Sequence, residues 1–229
     1  MKKSMGEMLE LNRLYNMDCM EGMKEFPDNY FELAIVDPPY GIGASSIKKY
    51  STAVFTKYIP KKWDNERPAK HYFDELFRVS KEQIIFGGNY FTGFLPPVKN
   101  WIVWDKLQPE GISFSMHELI FYSGKGQAKI YRGHNGANRC TVKHLAKKYI
   151  RIHPTQKPIA LYDWLLKMYA KPGDKILDTH VGSTSSLIAC RNAGHEFIGF
   201  ELDKDYYEAA TKRMEAAMEL KKAAEETSG

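Results

Sequence analysis

The sequence predicts an α/β fold, a mostly parallel sheet with helices on both faces. Three observations lead there. Apolar runs of strand length alternate with segments of helical periodicity. Several of those runs open onto turns rich in Gly, Pro or small polar residues, where such sheets bind ligands. The chain has 229 residues, 43% of them hydrophobic, which is ample for the core of a single domain.

The elements follow in order. Phe31-Glu32-Leu33-Ala34-Ile35-Val36 is the first clear strand. Tyr72, Phe73, Leu76, Phe77 and Ser80 recur at helical spacing, so about 69–82 reads as an amphipathic helix. Gln83-Ile84-Ile85-Phe86 is a strand closed by Gly87-Gly88-Asn89-Tyr90, and Trp101–Trp104 and Glu118–Tyr122 are two more. A helix starts at about Lys157, with Ile159, Tyr162, Leu165, Leu166 and Tyr169 on its apolar face, and Pro172-Gly173 stops it. Lys175-Ile176-Leu177 is a short strand. Ser186 to Asn192 form a helix ended by Gly194, Glu196–Phe200 a strand, and Asp205 to about Glu226 a final Ala-, Glu- and Lys-rich helix.

Asp37-Pro38-Pro39-Tyr40 follows the first strand directly. The prolines remove two backbone donors and leave carbonyls that accept. Asp37 adds a carboxylate and Tyr40 a flat π face. That set suits a planar ring with an exocyclic amine, its N–H groups aimed at the Asp37 carboxylate and the Pro38 carbonyl. A solvated Asp in a Pro-rich turn is the plainer alternative. A second constellation runs from Asp178-Thr179-His180-Val181-Gly182-Ser183-Thr184, through a helix, to Glu201 at the end of the next strand. This is a nucleotide-binding layout in which Glu201 accepts from ribose hydroxyls. The turn matches neither a dinucleotide fingerprint nor a phosphate loop, which favours a nucleoside with a small charged tail. His153-Pro154-Thr155-Gln156-Lys157-Pro158 precedes a helix that Thr155 can cap, and Lys157 can reach an anion. Asp18 reads by itself as a helix N-cap.

Net charge is +5, and it is clustered. No Asp or Glu occurs from Leu119 to Tyr162, a stretch that carries Lys125, Lys129, Arg132, Arg139, Lys143, Lys147, Lys148 and Arg151. Such a stretch is suited to gripping phosphates. Residues 44–70 form a second basic segment interleaved with aromatics, read as a mobile loop. Cys19, Cys140 and Cys190 are too few and too far apart for a metal cluster and suit a reducing compartment. No run approaches the roughly 18 apolar residues of a membrane helix, and no signal peptide is recognised. The cytoplasm is the expected location.

Together and in this order, the pieces resemble the beta-class amino-methylating DNA methyltransferases, which use S-adenosylmethionine. The resemblance covers nearly the whole chain. It implies a single methyltransferase domain over 1–229, with a Rossmann-like S-adenosylmethionine-dependent methyltransferase fold in circularly permuted motif order. Residues 125–151 then fall where the family has a small target-recognition insertion. Asp37, Pro38, Pro39 and Tyr40 match the catalytic motif. Asp18, Cys19, Asp37, Thr155, Lys157, Asp178, Gly182, Ser183, Thr184 and Glu201 are implied at the cofactor, with Asp18 toward its adenine. The basic residues of the acid-free stretch are implied at double-stranded DNA, and a homodimer is left open. One departure is plain. The family's cofactor loop usually reads Asp-Pro-Phe-x-Gly-Ser-Gly, and here Pro, Phe and the second Gly are lost.

The implied reaction is methyl transfer to the exocyclic N6 of a flipped-out adenine. Cytosine N4 is the alternative, although enzymes of that specificity more often carry Ser in place of Asp37. Cytosine C5 chemistry is rejected, because its enzymes carry a nucleophilic Cys after Pro and no Cys here follows one. An RNA methyltransferase and a DNA-binding homologue without catalysis are the remaining readings.

Overall fold

The computed structural model describes residues 9–43, 64, 66–111, 115–134, 152, 153 and 155–226. Within them lie strands β1 (Arg13–Tyr15), β2 (Phe31–Val36), β3 (Ser80–Phe86), β4 (Ile102–Asp105), β5 (His117–Tyr122), β6 (Lys129–Arg132), β7 (Lys175–Asp178) and β8 (Glu196–Phe200). They form one sheet in the order β1-β8-β7-β2-β3-β5-β4-β6. Only β5 runs antiparallel to its neighbours. The helices are α1 (Cys19–Met23), α2 (Lys70–Val79), α3 (Ile159–Tyr169), α4 (Ser185–Ala193) and α5 (Lys204–Glu226).

The period of two in the strands divides the core into two layers. Leu33 and Ile35 of β2, with Ile84 and Phe86 of β3, meet Leu161 and Leu165 of α3 and Leu187 of α4 on one face. Ala34, Val36 and Ile85 point the other way, onto Met23 of α1 and Tyr72, Phe73 and Leu76 of α2. Burial on both faces is what a parallel sheet requires, and it explains why β2 reads as a continuous apolar run. From β7 the chain crosses through α4 to β8, and from β2 it crosses through α2 to β3 on the other side. The β7/β2 pair is therefore the topological switch point, with the crevice at its carboxyl end.

Several expectations need correcting. The helix expected over 69–82 stops at Val79, because Ser80 turns extended and pairs with Phe31 of β2. Thr155 does not cap α3; its hydroxyl pairs with His153 Nδ1 at 3.0 Å, and α3 begins after Pro158 with no side-chain cap. Strands β1 and β6 were not foreseen; they are three and four residues long, too short for periodicity to register, whereas helix α1 starts directly after Asp18, as the N-cap reading of that residue implies. Residues 44–63, 65 and 135–151 of the two basic segments lie outside the described residues.

Gly199 lets β8 approach its neighbours closely. A Cβ there would sit 2.6 Å from Leu187 Cδ1 of α4 and 2.7 Å from Val181 Cγ2 of the loop after β7. Gly199→Ala is therefore expected to lower stability by about 1–3 kcal/mol through overpacking, measured by denaturant unfolding.

Candidate active site

The strand ends bring the chemistry-bearing residues to one rim. Asp37 follows β2, Gly87 follows β3, Glu201 follows β8, and Asp178 is the last residue of β7. β5 runs the opposite way, so its beginning arrives at this same rim, with His117 opposite Asp105 and Glu118 opposite Trp104. Lys106, just past β4, joins it there.

Five side chains close into a largely buried polar cluster. Lys157 Nζ donates to Asp37 Oδ2 at 2.5 Å and lies 3.3 Å from Glu118 Oε1. Tyr40 Oη lies 2.6 Å from Asp37 Oδ1 and 2.8 Å from Glu118 Oε1. Lys106 Nζ sits 2.9 Å from Glu118 Oε2. The Lys157 side chain is only 6% exposed, so its ammonium is stable there only because two carboxylates face it. Burial would lower the Lys157 pKa, but Asp37 and Glu118 outweigh it and raise it. The two carboxyls diverge. Burial would raise Glu118, yet Lys157 and Lys106 hold it down to about 2. Asp37 meets no second lysine among the described residues; burial raises its pKa, Lys157 offsets part, and Glu118 adds to the rise. Glu118 is thus the fixed charge and Asp37 the carboxyl that takes up a proton more readily. Burial pushes the Tyr40 phenol well up, so it remains a neutral donor.

The Asp37–Tyr40 turn is moored from outside. Asp64 Oδ1 accepts from Tyr40 N at 2.7 Å and Gly41 N at 3.0 Å, and its residue is 1% exposed. The Tyr40 ring stacks on Tyr90, with centroids 4.9 Å apart and planes 14° from parallel. Gly87 makes room for the ring: its φ is +62°, and a Cβ there would lie 2.4 Å from Tyr40 Cε1.

The loop after β7 forms the neighbouring half of the crevice. Gly182 has φ +51° and donates its N–H to Glu201 Oε2 at 2.8 Å. Asp203 N donates to the other Glu201 oxygen at 2.9 Å. Ser185, at the start of α4, donates to the Lys157 carbonyl at 2.8 Å, and Arg213 of α5 braces the carbonyl of Ser183. Lys157 therefore joins both halves, the loop through its backbone and Asp37 through its side chain. Asp178 accepts from Ser186 Oγ and from His180 N, and burial pushes its carboxyl up to about 7. Thr184 Oγ1 is buried with no hydrogen-bond partner among the described residues.

The remaining expected residues are placed as follows. Asp18 lies beyond β1 and caps α1, accepting from Met20 N at 2.8 Å. Asn16 ties this end to β8 by donating to the Glu201 carbonyl at 2.8 Å. The Cys19 thiol is pushed up to about 12 by burial and is not a thiolate. Thr155 stands beside His153, whose ring lies over Gly182. Arg132 ends β6 at the active-site rim, with Nε 3.6 Å from Asp105. Lys125 and Lys129 stand at the start of β6, near the opposite edge of the sheet. Arg139, Lys143, Lys147, Lys148 and Arg151 lie outside the described residues.

Sequence reasoning missed Glu118, Lys106 and Asp64, and gave Tyr90 no role. The one signal for Glu118 was an acid heading an otherwise apolar strand. Asp64 carried none, since it reads as an interruption in a basic segment. Removing its carboxylate takes the acceptor from two partly buried backbone donors, so Asp64→Ala is expected to cost about 1–3 kcal/mol, read from denaturant unfolding. A variant as stable as wild type would contradict that mooring role.

Comparison with known proteins agrees with this geometry. Residues 97–212 match the N6/N4 family model described as DNA methylase. The chain is 26% identical over 240 residues to the Type II methyltransferase M.HpaI of Haemophilus parainfluenzae, covering 89% of this chain and 74% of that protein. The solved M1.HpyAVI–SAM complex superposes with a TM-score of 0.58 at 19% identity, over 88% of this chain and 98% of that one. PvuII DNA methyltransferase, described as cytosine-N4-specific, superposes with a TM-score of 0.59 at 13% identity, over 90% and 89% of the two chains. The sheet with its single antiparallel strand is accordingly the methyltransferase fold, and the chain belongs to the N6/N4 DNA methylase family.

Proposed function

We propose that this protein is an S-adenosylmethionine-dependent DNA methyltransferase acting on the exocyclic N6 of adenine. The observation that carries the reading is the placement of Asp37 and Asp178 on adjacent strands at the switch point, with the Tyr40 hydroxyl and the Lys157 ammonium on Asp37.

The residues of the crevice fit the cofactor. Gly182 and the start of α4 offer a turn that a small charged group can approach closely, and the orphaned Thr184 hydroxyl lies in the same turn. Glu201 is fixed by two backbone amides in the position of a ribose acceptor. Asp18, in the turn beyond β1, is assigned to the adenine. Asp178, Ser183 and Thr184 shape the wall toward Asp37, while Thr155 and Lys157 brace it. Bound S-adenosylmethionine supplies a methyl group activated by its sulfonium.

The protein's own part is positioning and charge placement. Asp37 and the Pro38 carbonyl accept from the two amine N–H groups, which directs the nitrogen lone pair away from the ring. Tyr40 supplies an aromatic face for the flipped base, a contact worth about 1–3 kcal/mol in comparable complexes. Asp37, with its raised pKa, accepts the proton that the amine releases as its new N–C bond forms. Lys157 keeps the carboxylate oriented and charged until then. Arg132 at the rim serves double-stranded DNA through its phosphates, and Arg139, Lys143, Lys147, Lys148 and Arg151 of the acid-free stretch are assigned the same part from the sequence, whereas Lys125 and Lys129 stand away from this rim.

Asp at position 37 favours adenine over cytosine N4, the reading supported by the likeness to PvuII methyltransferase. Methylation-aware sequencing of DNA from cells expressing the protein separates them. N6-methyladenine at a short recurring motif is the expected outcome. N4-methylcytosine would move the assignment to the alternative, and unmodified DNA would overturn the activity.

A further inference from the structure

The hairpin of β4 and β5 contributes a carboxylate that the reaction as described does not use. Tyr40 Oη has one proton and two acceptors, Asp37 Oδ1 at 2.6 Å and Glu118 Oε1 at 2.8 Å. A phenol donates one hydrogen bond at a time. The hydroxyl is buried, so whichever acceptor it serves, losing that acceptor without a replacement would leave it unpaired. Asp37 Oδ2 is meanwhile held by Lys157, which leaves Oδ1 as the oxygen that can turn to a substrate. Glu118 is pinned on its far side by Lys106, with both side chains 12% exposed.

We infer that Glu118 is a positioning residue for methyl transfer. It is the second acceptor to which the Tyr40 hydroxyl turns when Asp37 Oδ1 takes the N–H of the substrate amine. Through Lys157 it also keeps the ammonium against Asp37 Oδ2 during that exchange. Tyr40 thus stays hydrogen-bonded before and after the base enters, and the Asp37 oxygen is released to the amine without stranding a buried donor. Lys106 serves as the counter-charge that holds Glu118 in place. The inference rests on the reading of Asp37 as the acceptor for the amine.

The test is steady-state kinetics of the full chain on DNA, comparing wild type, Glu118→Gln, Tyr40→Phe and the double variant. Glu118→Gln is expected to lower kcat about 10- to 100-fold, the range for exchanging a charged acceptor for a single neutral oxygen that Tyr40, Lys157 and Lys106 must share. KM for S-adenosylmethionine should stay within about threefold of wild type, because Glu118 lies on the Asp37 side of the crevice. If Glu118 acts through the Tyr40 hydroxyl, the two losses do not multiply, and the double variant is no slower than the slower single one. The pH profile adds a readout that a purely structural role would leave in place. Among the described residues, the charged and titratable groups around Asp37 are Tyr40 from its own turn, Lys157 before α3, Glu118 and Lys106 from the hairpin, Asp178 from β7, and the phenols of Tyr72 from α2 and Tyr162 from α3. Glu118 raises the Asp37 pKa, so its neutralisation should move the acid limb of kcat to lower pH.

Unchanged kcat in Glu118→Gln, multiplied losses in the double variant, or an unmoved acid limb would each overturn the inference. Should Glu118→Gln fail to fold because Lys106 is left uncompensated, Glu118→Gln with Lys106→Met restores the charge balance. That variant is expected to fold and remain slow. Recovery of wild-type kcat there would overturn the inference, making Glu118 only a counter-ion for Lys106. A wild-type protein without methyl transfer to DNA would overturn the functional reading itself, and this inference with it.

Discussion

A carboxylate stays charged inside a protein only against a partner, and Lys157 is that partner for Asp37. Much of the site follows from this pair. The ammonium is buried too, so it needs Glu118 as well as Asp37 to balance the cost of leaving water. Glu118 in turn needs Lys106. The result is a cluster of two acids and two bases in which each charge is compensated, yet the two carboxyls are unequal. The one flanked by two lysines is held low, and the one flanked by a single lysine among the described residues is pushed up.

The fold supplies this arrangement through strand direction. Parallel strands deliver their carboxyl ends to one rim, and the switch between β7 and β2 opens a crevice there. The lone antiparallel strand adds what no parallel strand offers at that rim, its own beginning, and with it Glu118. The segment before α3 then spans the crevice. Its Lys157 carbonyl holds the first turn of α4, and its ammonium holds Asp37. A shift of either half is thereby felt by the other.

Much of the architecture was legible in the sequence. β8 has the boundaries expected for it, since Gly194 takes φ +77° at the end of α4 and Phe200 gives way at once to acids. The Asp37 and Glu201 positions were legible because each lies directly beyond an apolar run. What was not legible depends on contacts between distant residues. Glu118 and Tyr40 are 78 residues apart and meet only through the register of β5 against β3 and β4. Asp64 reaches the Asp37–Tyr40 turn from a segment whose composition points to solvent. The helix over Lys70–Val79 ended early for the same kind of reason, because pairing of Ser80 with Phe31 outweighed local periodicity.

The central claim is that the charge on Asp37, and not merely its shape, carries the chemistry. Single-turnover methyl transfer to DNA by Asp37→Asn tests it most directly, since Asn keeps the shape and one acceptor oxygen but cannot take the proton. With S-adenosylmethionine binding confirmed by calorimetry, the account predicts binding within a few-fold of wild type and a transfer rate lower by about 10²–10⁴-fold, the usual contribution of a positioned acid or base. Transfer at the wild-type rate by Asp37→Asn would contradict it.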